Sequence, residues 1–408
     1  MKNIGLENIV LDGDLYHRIR MNHTRFYGTE YTPEKVFRPH TEYDWPGDME
    51  GRALLAMVLT SRALHREHPY IEKIMEKLPQ HLNEKGYFGE VLPDGTFDEQ
   101  QLSGNNWFLR GLLEYYLWKK DEKVRERIYT LIQNLVMPLK GKVSGYPSKP
   151  EQRVYEGGVS GTVAGNVRNW RLSTDIGCAF IMLDGITQAY QVFKLEGLKD
   201  LIDEMIREFA SMDIVALSFQ THATLSATRA FLRYYETDGD RWVLELAQRI
   251  YSTYLREAVT ENYSNYNWFN RPLWTEPCAQ IDSFIVAFGL WNSTGDAAYL
   301  EDAHHIFYNA IGYGQRPNGG FGCDECAGAR DEFLMPKKEI FEAYFCCSMR
   351  GGEGLSKAAG FTYGLEGESL ILPFYHSSTA EIAFPDGKVH ISQKSGYPAE
   401  GFTRLDVL

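Results

Sequence analysis

Segments with the apolar spacing of an α-helix recur in pairs along this chain of 408 residues, and short polar turns join the members of a pair. In the first segment, Leu54, Leu55, Val58 and Leu59 share one helical face, and Asp48 is placed to cap its start. The spacing predicts helices over about 48–63, 70–82, 106–118, 121–138, 175–194, 198–211, 221–236, 240–257, 278–292, 297–311 and 352–360. Repeated helical hairpins either stack as an open solenoid or close into a ring.

The segments between hairpins favour the ring. They are long and irregular in length, as in the Gly- and Pro-rich stretch 140–173. An open solenoid more often has a regular repeat, whereas a closed ring gathers such loops at one end, where they surround a single pocket. Loops of this size more often line a binding site than serve only as connectors. We therefore predict a mainly α-helical chain with its hairpins in a closed ring.

The two ends of the chain differ from the helical part. Residues 1–43 read as an irregular or extended segment, and 44–362 contain the helical hairpins. In 363–408, short alternating runs around 370–375, 380–384 and 388–391 predict strands, with a turn at Pro385, Asp386 and Gly387. These strands are too few for an independent sheet. Either strands from 1–43 complete it, or the β segment is a shortened form of a larger one.

Charge and composition limit the partners. The net charge is −13 and no basic stripe offsets it, which argues against nucleic acid. The first residues lack an apolar signal sequence and no 18-residue apolar run follows, so we expect a cytoplasmic protein without a membrane partner. Cysteines should then be reduced unless a metal holds them. The 25 Tyr, 22 Phe and 8 Trp suit either the walls of a sugar cleft or a Tyr-rich core.

Five of the six cysteines fall between Glu261 and Cys347, close to carboxylates. Zn²⁺ accepts thiolate and carboxylate ligands in a tetrahedral shell. One candidate set is Glu276, Cys278, Cys346 and Cys347. A competing, all-thiolate set combines Cys346 and Cys347 with the C-x-x-C pair Cys323 and Cys326. The spacing does not choose between these sets, and buried cysteines that bind nothing are a third possibility.

A family resemblance adds to this reading. Glu276-Pro277-Cys278 before a helix, then Tyr299-Leu300 through Tyr308-Asn309, then Cys346-Cys347 before a helix, resemble the β-L-arabinofuranosidase-type glycoside hydrolases of family 127 and its relatives. The resemblance covers most of the chain. It implies an (α/α)6 barrel of helical hairpins, here followed by a small β-rich segment at the C-terminus. It also implies one zinc ion bound by a glutamate and three cysteines.

The resemblance assigns a role to each matching residue. Glu276, Cys278 and Cys347 would bind zinc, and Cys346 would be both a ligand and the nucleophile. The acid/base glutamate of the family lies a short way upstream of the Glu-x-Cys motif, a place that Glu261 matches. Glu257 and Glu342 are rivals for this role. Glu261 is preferred because its aromatic, Asn-rich loop could desolvate it and raise its pKa.

Substrate contacts are expected from His222, Trp45, Asn106 and Trp268, although each could equally cap a helix or pack in the core. The resemblance implies a retaining hydrolase that removes a furanosyl sugar, β-L-arabinofuranose, from a small carbohydrate or glycoside. Two alternatives stay open. One is a non-catalytic helical ring that binds a carbohydrate or a partner and contains structural zinc. The other is an epimerase or lyase on the same barrel, which would use His and Tyr. The sequence leaves the oligomeric state open.

Overall fold

Fourteen α-helices form the frame of the described part of this computed structural model, which comprises residues 1–37, 45–153, 161–326, 335–336, 341–384 and 387–407. The helices are α1 (Gly13–Arg25), α2 (Pro33–Val36), α3 (Asp48–Ala63), α4 (Tyr70–Lys77), α5 (Glu99–Lys119), α6 (Glu122–Leu131), α7 (Met182–Phe193), α8 (Leu198–Ala210), α9 (Thr221–Asp238), α10 (Arg241–Glu257), α11 (Pro277–Thr294), α12 (Ala297–His305), α13 (Gly312–Gly314) and α14 (Cys347–Gly360). Helical turns extend α6 to Leu139 and α12 to Ile311. The predicted hairpins are therefore present.

Six of these helices form a closed inner ring. In order, α3, α5, α7, α9, α11 and α14 each pack on the next, and α14 packs back on α3. The outer helices α4, α6, α8, α10 and α12 pack on the inner helix that precedes them. The expected (α/α)6 barrel with a small C-terminal β-rich segment is confirmed.

Burial explains which helices are inside. In α5, every residue from Glu99 to Tyr115 is buried, as expected for a helix surrounded by neighbours. The outer helix α8 instead has one buried stripe, formed by Leu198, Leu201, Ile202, Met205, Ile206 and Phe209. Each described helix is too short or too polar to span a lipid bilayer.

The N-terminal helix α1 corrects one prediction. Residues 1–43 were expected to be irregular or extended, which is wrong over 13–25. The helix α1 packs against α14 and α3, and so takes the place of the sixth outer helix. Its buried face combines Leu15 and Ile19 with polar Asn22 and His23. Because half of that face is polar, the apolar period is too short to recognise in the sequence.

Strands from the N-terminus complete the C-terminal sheets, which was one of the two expected possibilities. The first strands are β1 (Lys2–Asn3), β2 (Ile9–Leu11), β3 (Phe97–Asp98), β4 (Val163–Val167), β5 (Trp170–Ser173), β6 (Asp324–Glu325) and β7 (Met335–Pro336). The C-terminal ones are β8 (Gly364–Glu366), β9 (Ser369–Ile371), β10 (Ser378–Phe384), β11 (Gly387–Ser395) and β12 (Thr403–Val407). β1 pairs with β8, and β2 pairs with β10 in the order β12-β11-β10-β2. Residues 1–11 therefore belong with the C-terminal β segment.

Two further predictions concern loops. The stretch 140–173 contains short 3-10 turns and the antiparallel strands β4 and β5, and β5 also pairs with β3 in parallel. The loop is thus more ordered than expected over 161–173. The predicted turn residues Pro385 and Asp386 lie outside the described residues, and β10 and β11 on either side pair as an antiparallel hairpin.

Candidate active site

The N-terminal ends of two neighbouring inner helices bring the predicted ligands together. Glu276 is the extended N-cap residue of α11, Pro277 is the first helical residue, and Cys278 lies in the first turn. Cys346 is the N-cap residue of α14, and Cys347 begins that helix. The result is a convergent cluster, because α11 packs against α14.

The donor atoms have the spacing that a tetrahedral metal requires. The carboxylate of Glu276 and the thiols of Cys278, Cys346 and Cys347 supply ligand atoms within 4.8 Å of one another. Cys278 Sγ lies 3.7 Å from Cys347 Sγ, which lies 3.4 Å from Cys346 Sγ. Zinc–sulfur bonds of about 2.3 Å at tetrahedral angles place sulfurs about 3.8 Å apart. The four residues fit one zinc ion, and we name them the thiol cluster.

The thiol cluster favours a bound cation. Burial raises the pKa of Glu276 well above its ordinary value, and Cys278 and Cys323 add to the rise. Burial opposes ionisation of Cys278, but bonds from Cys346 and Cys347 and the nearby Arg52 lower its pKa. The pKa of Cys346 is raised by its bond to Cys278, and that of Cys347 by burial. One thiolate thus prevents ionisation of its neighbours, and a divalent ion would relieve that repulsion.

Glu276 is anchored by the loop before α11. With its side-chain amide in the orientation that suits both neighbours, Asn267 donates an N–H to Glu276 and accepts a hydrogen bond from Trp274 Nε1 at 2.5 Å. The backbone N–H of Asn267 also donates to the carbonyl of Trp274 at 2.8 Å. The residue before a proline is restricted to extended backbone, as Glu276 shows with φ −133° and ψ 114°. These restraints fix the direction of the carboxylate.

Arg52 of α3 is a site residue that the sequence did not reveal. Its Nη1 lies 3.6 Å from Cys278 Sγ, and its Nε donates to Asp48 Oδ2 at 2.8 Å. Its guanidinium lies 4.1 Å from the ring centroid of Trp107. Asp48 was expected to cap α3, but Gly47 is the N-cap residue, and the carboxylate of Asp48 orients Arg52 instead. An Asp and an Arg four residues apart on a buried helix are the signal that could have indicated this pair.

His222 lies beside Arg52 at the start of α9. Its Nδ1 donates to Asp282 Oδ2 over 2.6 Å, so Nε2 faces Arg52 Nη2 at 3.4 Å. The imidazole stacks on Trp107 with centroids 5.6 Å apart. The structure thus brings His222 to the floor of the site, although only 2% of its surface is exposed. A sugar could reach little of it.

Buried ion pairs connect the inner helices next to His222. Asp282 accepts from Arg229 Nη1 at 3.0 Å and from Arg350, and Glu353 accepts from Arg229 Nη2 at 2.6 Å. Arg110 links Glu353 to Asp184 of α7, with distances of 3.0 and 2.9 Å. Burial opposes ionisation of Asp282, but Arg350 and His222 lower its pKa. The network connects the inner helices to the histidine at the site.

The other predicted sugar contacts are buried. Trp45 is 7% exposed, donates from Nε1 to the Gly161 carbonyl at 2.9 Å, and packs in one cluster with Trp107. Trp268 is stacked with Trp274, with centroids 5.6 Å apart. Asn106 is fully buried and accepts from the Gly185 N–H at 2.7 Å. Asn106 therefore joins α5 to α7.

The structure does not desolvate Glu261. This residue is exposed, in a turn where the Thr260 N–H donates to the Ser264 carbonyl. Its neighbour Tyr263 stacks on His305 of the outer helix α12. The expectation that its loop buries Glu261 is wrong, because the residue occupies the tip of that turn. Of its rivals, Glu257 is also exposed, and Glu342 is held by Arg25, Asn318 and Ser348.

The competing thiolate set is separated by the fold. Among the described residues, the group with metal-binding spacing consists of Glu276 and three cysteines, without Cys326. Burial, with the nearby Asp324, raises the pKa of Cys326 to about 12. Cys323 is different, because its thiol neighbours that of Cys347. Among the described residues, the spacing therefore favours the set with Glu276 and Cys278 over the competing set with Cys323 and Cys326.

Comparisons with known proteins show a shared fold. No protein-family model and no curated protein sequence matches the chain. A GH127 β-arabinofuranosidase has a TM-score of 0.69 at 13% identity, over 100% of this chain and 69% of that one. A GH127 β-L-arabinofuranosidase from Geobacillus stearothermophilus T6 has a TM-score of 0.65 at 13% identity, over 98% and 72%. A cellobiose 2-epimerase from Bacillus thermoamylovorans has a TM-score of 0.55 at 14% identity, over 77% and 87%.

Proposed function

We propose that this protein is a zinc-dependent retaining glycoside hydrolase that removes a β-L-arabinofuranosyl group. The observation that carries the proposal is the convergence of Glu276, Cys278, Cys346 and Cys347 within 4.8 Å at the N-terminal ends of α11 and α14. The likeness in fold to the GH127 β-arabinofuranosidases supports it. Zinc bound by these residues would supply the positive charge that keeps sulfur in the thiolate form.

Cys346 is the nucleophile in this proposal. It is the partly exposed thiol of the cluster, whereas Cys278 and Cys347 are fully buried. Only an accessible sulfur can reach an anomeric carbon. Helix N-termini stabilise thiolates, and Cys346 occupies the N-cap position of α14. Attack by its Sγ breaks the glycosidic bond and forms a sulfur–carbon bond. Water then displaces the sulfur, so two inversions leave the anomeric configuration unchanged.

Glu261 is the proposed acid/base residue. It gives a proton to the leaving oxygen in the first step and takes one from the attacking water in the second. Its exposed position leaves the carboxyl open to a glycoside that binds at the turn 260–264.

Cys346→Ser tests the nucleophile. Turnover of an aryl β-L-arabinofuranoside should fall by at least about a thousandfold, as for loss of a covalent nucleophile. Cys326→Ser is the matched control, since it removes a buried thiol outside the cluster. Zinc content is measured on both proteins. Equal turnover in Cys346→Ser and the wild type would disprove the assignment.

Glu261→Gln tests the acid. The rate should fall by about 10²–10⁴-fold on substrates with poor leaving groups, which need a proton. It should fall much less for the first step on a nitrophenyl glycoside. Added azide should restore turnover and give the glycosyl azide with retained configuration. Glu257→Gln, four residues away and also exposed, is the control. A loss that does not depend on the leaving group would exclude Glu261 as the acid.

The likeness in fold to a cellobiose 2-epimerase favours one alternative, sugar epimerisation without sulfur. Incubation with disaccharides in D₂O would detect it, because epimerisation through proton removal incorporates deuterium at carbon. Such turnover should survive Cys346→Ser and chelation. A non-catalytic ring with structural zinc would bind metal and sugar without either reaction.

A further inference from the structure

Cys323 lies on a segment that runs between the two ligand-bearing helix starts. The N–H of Thr275, the residue before Glu276, donates to the Asp324 carbonyl at 2.8 Å, and the N–H of Asp324 donates to Thr275 Oγ1 at 3.1 Å. On the other side, the Phe321 N–H donates to Oγ of Ser348, the residue after Cys347, at 2.9 Å. The segment is therefore hydrogen-bonded next to a ligand on both sides.

Arg316 and a close backbone contact at Gly322 also hold this segment in place. Arg316 Nη2 donates to the Cys323 carbonyl at 3.1 Å and to Asp324 Oδ1 at 2.7 Å. A Cβ at Gly322 would lie 1.9 Å from the Phe341 carbonyl oxygen, so only glycine allows this close approach. Cys323 thus occupies a fixed place, and not one of several positions of a loose loop.

The side chain of Cys323 belongs with the thiol cluster, whereas that of Cys326 does not. Cys323 is 6% exposed, and its thiol is a neighbour of the Cys347 thiol and of the Glu276 carboxylate. It lies outside the group of four whose ligand atoms are all within 4.8 Å of one another. Cys323 is thus a fifth potential donor. A tetrahedral metal shell does not need it while all four residues of the thiol cluster are bound.

We propose that Cys323 is a reserve ligand, a thiolate that completes the metal shell whenever Cys346 is not coordinated. This rests on the proposed function, in which Cys346 is both ligand and nucleophile. A sulfur bonded to carbon is a neutral thioether and a weaker ligand for zinc than a thiolate. Exchange of Cys346 for Cys323 would keep three thiolates on the metal, and the displaced thiol proton of Cys323 would pass to solvent.

The test uses Co²⁺ in place of zinc, because the intensity of the sulfur-to-cobalt charge-transfer band reports the number of bound thiolates. The band should indicate three bound thiolates in the wild type and in Cys346→Ala. It should indicate two bound thiolates in the double variant Cys346→Ala/Cys323→Ala. The metal affinity of this double variant should be lower than that of Cys346→Ala by about tenfold or more. Cys323→Ala alone should leave band and affinity unchanged. Cys326→Ala and Cys346→Ala/Cys326→Ala are the matched controls.

Two outcomes overturn the inference. Cys346→Ala could already show two thiolates, or removal of Cys323 from it could leave the affinity unchanged. Should Cys346→Ala fail to fold, wild-type protein alkylated at Cys346 with iodoacetamide and then loaded with Co²⁺ gives the same count. Absence of metal binding by the wild type would contradict the proposed function itself, so the two failures are distinct.

Discussion

At the scale of single residues, Arg52 shows how the thiol cluster depends on a group that lies outside it. Its guanidinium is fixed by Asp48 and by the face of Trp107, and its Nη1 points at Cys278 Sγ. A cation next to a thiolate stabilises that charged form, and partners of this kind tune metal affinity. Arg52 should therefore contribute to metal binding through Cys278.

Replacement of the pair tests this role. Removal of Arg52 alone would leave the Asp48 carboxyl buried without its partner, so the change is Asp48→Asn/Arg52→Met. We expect metal affinity to fall by about 10–100-fold while the protein stays folded. Competition with a chromophoric chelator measures it. Arg62→Met, on the same helix but facing Glu114, is the control and should not change affinity. Equal affinities in both variants would contradict the role of Arg52.

The sequence indicated the residues of the thiol cluster but not Arg52, for a physical reason. Glu276, Cys278, Cys346 and Cys347 could be recognised because thiols beside a carboxylate are rare away from metals, and because a family resemblance assigned them. Arg52 depends on which face of α3 points to α11, and that follows only from packing. Glu261 is exposed, which the aromatic, Asn-rich sequence around it did not indicate.

At the scale of elements, one glycine fixes how closely α3 approaches α5. A Cβ at Gly51 would lie 2.0 Å from the backbone nitrogen of Phe108 and 2.1 Å from the backbone carbonyl carbon of Trp107. No side-chain rearrangement can relieve a contact with backbone. The ring position of Trp107 under Arg52 and His222 therefore depends on this contact.

Gly51→Ala separates packing from helix propensity. Alanine in a helix interior is favoured over glycine by up to about 1 kcal/mol, which alone would stabilise the protein. Overpacking against a rigid backbone costs about 1–3 kcal/mol or more, so we expect net destabilisation and a lower Tm. Gly145→Ala is the control, because a Cβ there meets nothing within 4 Å. A Tm at or above that of the wild type in Gly51→Ala would show that the helices can separate without cost.

Helices could be predicted from the sequence where only one of their faces is buried. Outer helices such as α8 have one apolar face, so the helical period is visible in the sequence. The helix α1 was missed because buried Asn22 is part of its inner face, where its amide donates to the carbonyls of Gly319 and Ser348 at 2.9 Å. Strands β4 and β5 were missed because they are short and because β5 also pairs with the distant β3.

At the scale of the whole molecule, the N-terminal segment closes the structure. The helix α1 supplies the sixth outer helix, and β1 and β2 join sheets built from the C-terminal residues. Three neutral histidines are buried along this closure. His23 lies on α1, His68 packs edge to face against it with ring centroids 4.9 Å apart, and His376 lies just before β10.

These histidines predict a loss of stability in acid. Burial lowers the pKa of His23 to about 4 and those of His68 and His376 to about 3, below the unfolded value of 6.5. The unfolded chain therefore binds more protons below pH 6.5. The free energy of unfolding is therefore not reduced by these histidines above pH 6.5, and it falls as the pH decreases from 6.5 toward 4. Each contributes a slope of about 1.4 kcal/mol per pH unit within that range.

His376→Phe tests the contribution of one of them. The imidazole stacks on Phe374 with an interplanar angle of 4°, and its Nε2 has no hydrogen-bond partner among the described residues, so a phenyl ring fits the site chemically. In the variant, the unfolding free energy should fall less steeply with decreasing pH, because one fewer proton is taken up on unfolding. The loss of unfolding free energy between pH 7 and pH 5 should be smaller than in the wild type by about 2 kcal/mol. Denaturant unfolding at both pH values measures this. Acid release of any metal held by the thiol cluster would affect both proteins equally and cancel in the comparison. His17→Phe, at an exposed position of α1, should keep the wild-type slope. If His376→Phe also kept the wild-type pH dependence of stability, His376 would not be a buried neutral group that is protonated on unfolding.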